Sequence, residues 1–184
     1  MTGLASRAQL RMSFLRYALV TVPLVLLLGT LSGQLSNSGY GNRWFDALAK
    51  PDFMPPGWMF GVAWTILYIL LGLVLAMILH ARGAPGRGLA LGLFGGQMIL
   101  NYAWSPLFFG YHQVTAALAV IAAMILLTVL LAVVLWRIRK VAALLLVPYL
   151  LWLGFATALT YRIMELNPGA EDLAPEAQGI DIEL

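Results

Sequence analysis

No cysteine occurs in the 184-residue chain, and charged residues make up only 10% of it. The first absence excludes disulfide scaffolds, thiolate metal sites and cysteine nucleophiles in one step. The second, beside an apolar content of 61%, departs from the near-half apolar and quarter charged composition of soluble domains. It points to a membrane protein with no room for a second, soluble domain. Acidic residues are missing from every long apolar run: six of the eight fall between Glu165 and Glu183, and the others are Asp46 and Asp52. Ion-coupled pumps and proton relays rely on ionisable groups inside the membrane, so this pattern argues against both. The two histidines, His80 and His112, fall at opposite membrane faces in the topology below and cannot share a metal. Asp46 and Asp52 lack a partner base, and no Gly-rich phosphate loop follows a strand. Hydrolytic and metal chemistry have no visible apparatus, and neither a metal site nor a required cofactor is expected. The net charge of +3 comes from basic residues scattered in ones, twos and threes between apolar runs. That is the pattern of a membrane topology signal, not of a nucleic-acid surface.

What the chain has in abundance is uninterrupted apolar sequence. At about 1.5 Å rise per residue, roughly 20 residues cross a bilayer core. Five runs approach or exceed that length: residues 17–35, 57–80, 89–109, 115–136 and 141–163. Short connections after the second run make sequential helices antiparallel neighbours. The expectation is an all-α fold, an integral membrane bundle of five transmembrane helices over residues 17–164. A basic segment, 1–16, precedes it, and an acidic tail, 165–184, reads as disordered. The solid runs do not alternate as barrel strands would. Arg7, Arg11 and Arg16 ahead of the first run also fit a secretory signal peptide, but the length of that run favours a retained span. The amino-terminal side would carry Arg7, Arg11, Arg16, Arg82, Arg87, Arg137, Arg139 and Lys140 against Arg43, Lys50 and Arg162, eight cations to three. That count puts the amino terminus on the inner side of a bacterial cell membrane.

At about 100° per residue the third span sorts into two faces. Gly88, Gly92 and Gly96 form a smooth groove, and Gln97, Asn101, Trp104 and Ser105 lie roughly opposite. Small residues let membrane helices approach closely. Because the polar face must turn inward, the glycine face turns outward and reads as a homodimer seam, with packing inside one bundle as the alternative. Gln97 and Asn101 are amides at membrane depth and need partners, either on a neighbouring helix or on a ligand. Trp64 and Tyr68 also share a face, as do Tyr149, Trp152, Ala156 and Leu159 or Thr160. Facing the bundle centre with Trp104, they would line a pocket of flat π-surfaces suited to a large planar hydrophobic ligand. Core packing is the competing reading. Trp44, Trp58 and Trp136 fall at the expected membrane edges and read as interfacial belt residues. The loop over 36–56 is long enough for a lid. Pro51, Pro55 and Pro56 fix its backbone, and Arg43 and Lys50 could meet ligand carboxylates.

Three stretches carry a family resemblance: WFDALAKPDFMPPGWMFGVAWTILY (44–68), QMILNYAWSPLFFG (97–110) and VPYLLWLGFATAL (147–159), followed by MELN (164–167). In order and spacing they resemble the translocator protein family, also called the tryptophan-rich sensory proteins or peripheral-type benzodiazepine receptors. The resemblance implies a five-helix, usually dimeric membrane protein that binds porphyrins such as protoporphyrin IX or haem and, in animals, cholesterol and drug-like ligands. It also implies a bacterial role in tetrapyrrole-linked regulation and stress response, and an outer-membrane location as an alternative to the cell membrane. Some members are reported to promote light-dependent porphyrin breakdown.

Carried over by resemblance, Trp64 and Trp152 match the pocket tryptophans linked to that breakdown, and would be the catalytic pair if porphyrin is degraded. Asn101, Trp104 and Ala156 match other pocket positions, with Tyr68 and Leu159 on the same walls. Lys50, Pro51, Phe53, Pro55 and Pro56 match the lid. Phe53 replaces the family's usual Trp, and Thr160 its usual Asn. Arg162 follows Tyr161 directly, so the spacing of the proposed sterol motif is not met. The function implied is a membrane tetrapyrrole-binding sensor, receptor or carrier. Light-dependent porphyrin degradation and a small lipid, sterol or metabolite transporter are the alternatives.

Overall fold

A computed structural model describes residues 7–173. The first six residues of the expected basic segment, and the expected tail from 174 onward, lie outside the described residues. Helix is the only regular structure among the described residues, as expected where lipid leaves backbone groups no partners but one another. The helices are α1 (Arg7–Leu35), α2 (Arg43–Ala47), α3 (Gly57–His80), α4 (Arg87–Ser105), α5 (Val114–Ile138), α6 (Lys140–Leu144) and α7 (Val147–Leu166).

Among the described residues, four segments are long and apolar enough to cross a membrane: Arg11–Leu35, Gly57–His80, Val114–Ile138 and Lys140–Leu166. The chain is therefore an integral membrane protein, but the expected count of five is not reached on length and composition. The exception is α4, whose glycines, Gln97 and Asn101 dilute its apolar content.

Several boundaries differ from expectation. α1 begins ten residues before position 17, because RAQLRMSFLR holds no helix breaker and several strong helix formers. α4 passes into a single π-helical turn, Pro106–Gly110, in which the Tyr111 N–H donates to the Pro106 carbonyl at 2.9 Å. The run 141–163 is broken at 145–146, where α6 ends and α7 begins with Pro148 in its first turn. Without an N–H, and with a ring that would collide with the carbonyl four residues back, Pro148 starts a helix well and continues one badly. The tail does not begin at 165: α7 runs to Leu166, and Ala170–Asp172 forms a 3₁₀ turn with Ala170 buried.

α1 is stitched to the rest of the bundle. Thr21 Oγ1 donates to the Gly72 carbonyl of α3 at 2.8 Å, and Ser32 Oγ donates to the Tyr102 carbonyl of α4 at 2.5 Å. A Cβ on Gly72 would lie 2.6 Å from Val22 Cα, so glycine is what lets α1 and α3 touch. Of the glycine groove on α4, Gly88 and Gly92 face open space, whereas Gly96 turns toward Leu127 of α5, 3.6 Å from an added Cβ. Gly96 thus belongs to a contact within the chain. The core divides into a central cluster and a second one around Trp44, Phe45, Phe108 and Phe109, at the end where α3 begins.

Candidate functional site

The bundle encloses a cavity of about 680 Å³, and its walls come from α1, α3, α4, α5, α7 and the loop after α1. All seven nominated pocket positions, Trp64, Tyr68, Asn101, Trp104, Trp152, Ala156 and Leu159, line it. Trp64 stacks on Tyr68 with centroids 5.1 Å apart and meets Trp152 edge-on at 6.1 Å. Trp152 continues the wall to Phe60 at 5.8 Å and Phe155 at 5.4 Å. On α4, Trp104 also lines the cavity and stacks on Phe108 at 5.0 Å. These rings meet because residues three and four apart share one helix face, and α3 and α7 present those faces to each other.

Asn101 supplies the polar centre. Tyr68 Oη donates to its Oδ1 at 3.1 Å, and its Nδ2 donates to Tyr149 Oη at 2.9 Å. The Tyr149 hydroxyl donates in turn toward Met124 Sδ at 3.7 Å. This amide has the interhelical partners its depth requires. Gln97 does not: it is 0% exposed, and neither amide atom has a hydrogen-bond partner among the described residues.

The loop over 36–56 is built, not loose. Asn42 caps α2 by accepting from the Phe45 N–H at 3.0 Å and ties it to the π-turn by donating to the Phe109 carbonyl at 3.2 Å. Trp44 is not a belt residue: it is 2% exposed, stacked on His112 at 4.4 Å, and donates to the Ala170 carbonyl at 2.9 Å. Trp58 and Trp136 are exposed. Lys50 does not face the cavity either. Its ammonium donates to the carbonyls of Phe45, Asp46 and Leu48 at 2.8, 3.2 and 3.2 Å, closing the end of α2. Pro51 is buried, Pro55 accepts from Tyr40 Oη at 3.2 Å, Pro56 caps α3, and the half-exposed Phe53 meets Phe155 edge-on at 6.3 Å. None of the five nominated lid residues lines the cavity; Tyr40, Phe45 and Met54 do.

The segment after α7 holds this loop down. The Ala49 N–H donates to Asn167 Oδ1 at 2.7 Å, and Asn167 Nδ2 donates to the Ala49 carbonyl at 2.9 Å. Glu171 accepts from the Thr115 N–H at 2.7 Å, at the start of α5, where free N–H groups and the helix dipole favour a carboxylate.

Residues 20–166 match the TspO/MBR family. The chain belongs to that family. It is 39% identical over 126 residues to the tryptophan-rich protein TspO of Chlorobaculum tepidum, covering 68% of this chain and 80% of that one. It is 35% identical over 144 residues to the human translocator protein, covering 77% and 85%. To the protein CrtK of Rhodobacter capsulatus it is 34% identical over 131 residues, covering 71% and 82%.

One wall of the cavity in this TspO/MBR protein went unread in the sequence. α1 contributes Leu26, Gly29, Thr30, Gly33 and Gln34, and Asn37 and Ser38 follow at the rim. The available signal was Gly29 and Gly33, four apart. A Cβ on Gly29 would lie 2.1 Å from the Tyr68 ring, so the bare backbone of α1 seals the cavity there.

Proposed function

We propose that this TspO/MBR protein binds a tetrapyrrole, such as protoporphyrin IX or haem, in the central cavity and acts as a membrane sensor, receptor or carrier. The observation that carries the reading is the continuous wall Phe60, Trp152, Trp64 and Tyr68, which with Trp104 lines a cavity of about 680 Å³. That volume is in the range for sizeable organic ligands, and indole faces suit a flat conjugated ring. The carboxylates of the ligand are assigned to the polar rim of Thr30, Gln34, Asn37 and Ser38, since Lys50 spends its donors on α2.

In this reading α4 is the fifth crossing. Its Gln97 and Asn101 are buried while Leu89 and Ile99 face outward, the arrangement expected of a helix that keeps amides away from lipid. The membrane is the bacterial cell membrane, with the amino terminus inside. Two copies pair through the open glycine face at Gly88 and Gly92.

Titrating the purified protein with protoporphyrin IX is expected to quench tryptophan fluorescence to saturation, with weaker binding after Trp152→Leu. Equal affinity in that variant would remove the site. The direct Trp64–Trp152 contact favours a second reading, light-dependent porphyrin degradation. It requires a product that forms under illumination with protein and is lost in Trp64→Phe and Trp152→Phe; identical bleaching with and without protein would exclude it.

A further inference from the structure

At the end of the bundle opposite the loop over 36–56, two guanidinium groups converge on one aromatic platform. Arg82, just after α3, donates Nε to Tyr17 Oη at 3.0 Å and donates Nη2 to the same oxygen, with its Cζ 5.7 Å from the ring centroid. Arg139, between α5 and α6, lies 6.0 Å from the Phe14 centroid, and its Nη1 is 3.4 Å from His80 Nδ1. His80 sits edge-on to Phe14 at 6.1 Å and to Tyr17 at 6.4 Å. His80 thus bridges Phe14 and Tyr17, and this row of three rings carries two cations contributed by different connections.

No carboxylate answers them. The chain has no Asp or Glu before Asp46 and none between Asp52 and Glu165, so this whole end of the bundle lacks acidic residues among those described. A topology signal needs cations near the surface but not their convergence. Like charges held together repel, and an anion between them removes that repulsion. Guanidinium pairs suit phosphate, whose oxygens accept their parallel N–H groups.

We propose that Arg82 and Arg139 bind the phosphodiester of an anionic phospholipid. The source is lipid, not soluble phosphate, because the platform lies where α1, α3 and α5 leave the apolar zone. Tyr17 is a positioning residue that holds Arg82 over its ring.

The test is lipid binding by the full-length protein in non-ionic detergent, titrated with phosphatidylglycerol and read by native mass spectrometry and thermal stabilisation. Arg82→Gln/Arg139→Gln is expected to bind roughly thirty-fold more weakly, about 2 kcal/mol, because the direct charge-assisted contacts to the phosphodiester are lost. Arg11→Gln/Arg137→Gln removes equal charge from the same side but no such contact, and with the remaining field screened by salt it is expected to change affinity by less than roughly three-fold. Tyr17→Phe keeps every charge and is expected to weaken binding measurably, and it serves as the decisive variant if the arginine double variant does not fold. Equal losses in the two double variants would reduce the site to a diffuse field and overturn the proposal. So would unchanged affinity in Tyr17→Phe, or phosphatidylcholine binding as well as phosphatidylglycerol. Inorganic phosphate that stabilises lipid-free protein as strongly as the lipid does would overturn the lipid assignment.

Discussion

Asn101 joins two tyrosines that approach it from different helices, so its amide does more than fill a polar gap. Replacing it with leucine removes the acceptor of the buried Tyr68 hydroxyl and leaves the buried Tyr149 hydroxyl only its weak donation to Met124 Sδ. An unsatisfied buried hydroxyl costs about 1–3 kcal/mol. Asn101→Leu is therefore expected to lose about 1–3 kcal/mol of stability, read as a lowered thermal midpoint in detergent, and to bind porphyrin more weakly because the aromatic wall shifts. His112 predicts a pH dependence at the same scale. Desolvation against Trp44 holds its imidazole below the usual value of 6.5, partly offset by a hydrogen bond with the Phe109 backbone. In the window between the lowered folded value and 6.5, the unfolded chain binds more protons than the folded one, so stability falls as pH drops through it. Acid unfolding in this window is expected to flatten in His112→Gln, and an unchanged slope would remove His112 as its source.

At the scale of elements, the approach of α1 to α3 decides whether a cavity exists. Gly29→Ala places a Cβ 2.1 Å from a tyrosine ring that cannot retreat, because Trp64 stacks on it and Asn101 holds its hydroxyl. Overpacking of this kind costs about 1–3 kcal/mol, and the variant is expected to lose that stability together with ligand affinity, measured by thermal unfolding and fluorescence quenching. The loop over 36–56 depends on a distant element in the same way. Asn167 meets both backbone groups of Ala49, so Asn167→Ala is expected to speed limited proteolysis within that loop while leaving the transmembrane core protected. The sequence reads this segment as a proline-stiffened lid, whereas none of Lys50, Pro51, Phe53, Pro55 and Pro56 lines the cavity. It could not tell that Lys50 would close α2, because three carbonyl acceptors within five residues become a site only once α2 has formed.

For the molecule as a whole, the open face at Gly88 and Gly92 leads to a prediction about assembly. A Cβ at Gly92 meets nothing within 4 Å, so Gly92→Leu is expected to fill that face and halve the particle mass of a dimer in detergent while leaving monomer stability close to the parent's. The same mass for variant and parent would place the seam elsewhere. Much of this architecture was legible in the chain alone. Apolar runs of bilayer length give membrane helices because lipid forces backbone bonding inside each segment, and α3 matched its expected bounds because Pro56 before it and Gly83 and Pro85 after His80 mark both ends. The faces carrying Trp64, Tyr68, Trp152 and Ala156 were readable too, since helical periodicity fixes which residues lie together. Periodicity says nothing about which helix stands opposite. Only the tertiary structure decided that α1 would seal the cavity with glycine, that Trp44 would be buried beneath Ala170, and that Arg82 and Arg139 would share a platform. Each of these depends on contacts between residues far apart in the chain, whose geometry is fixed only when the helices pack.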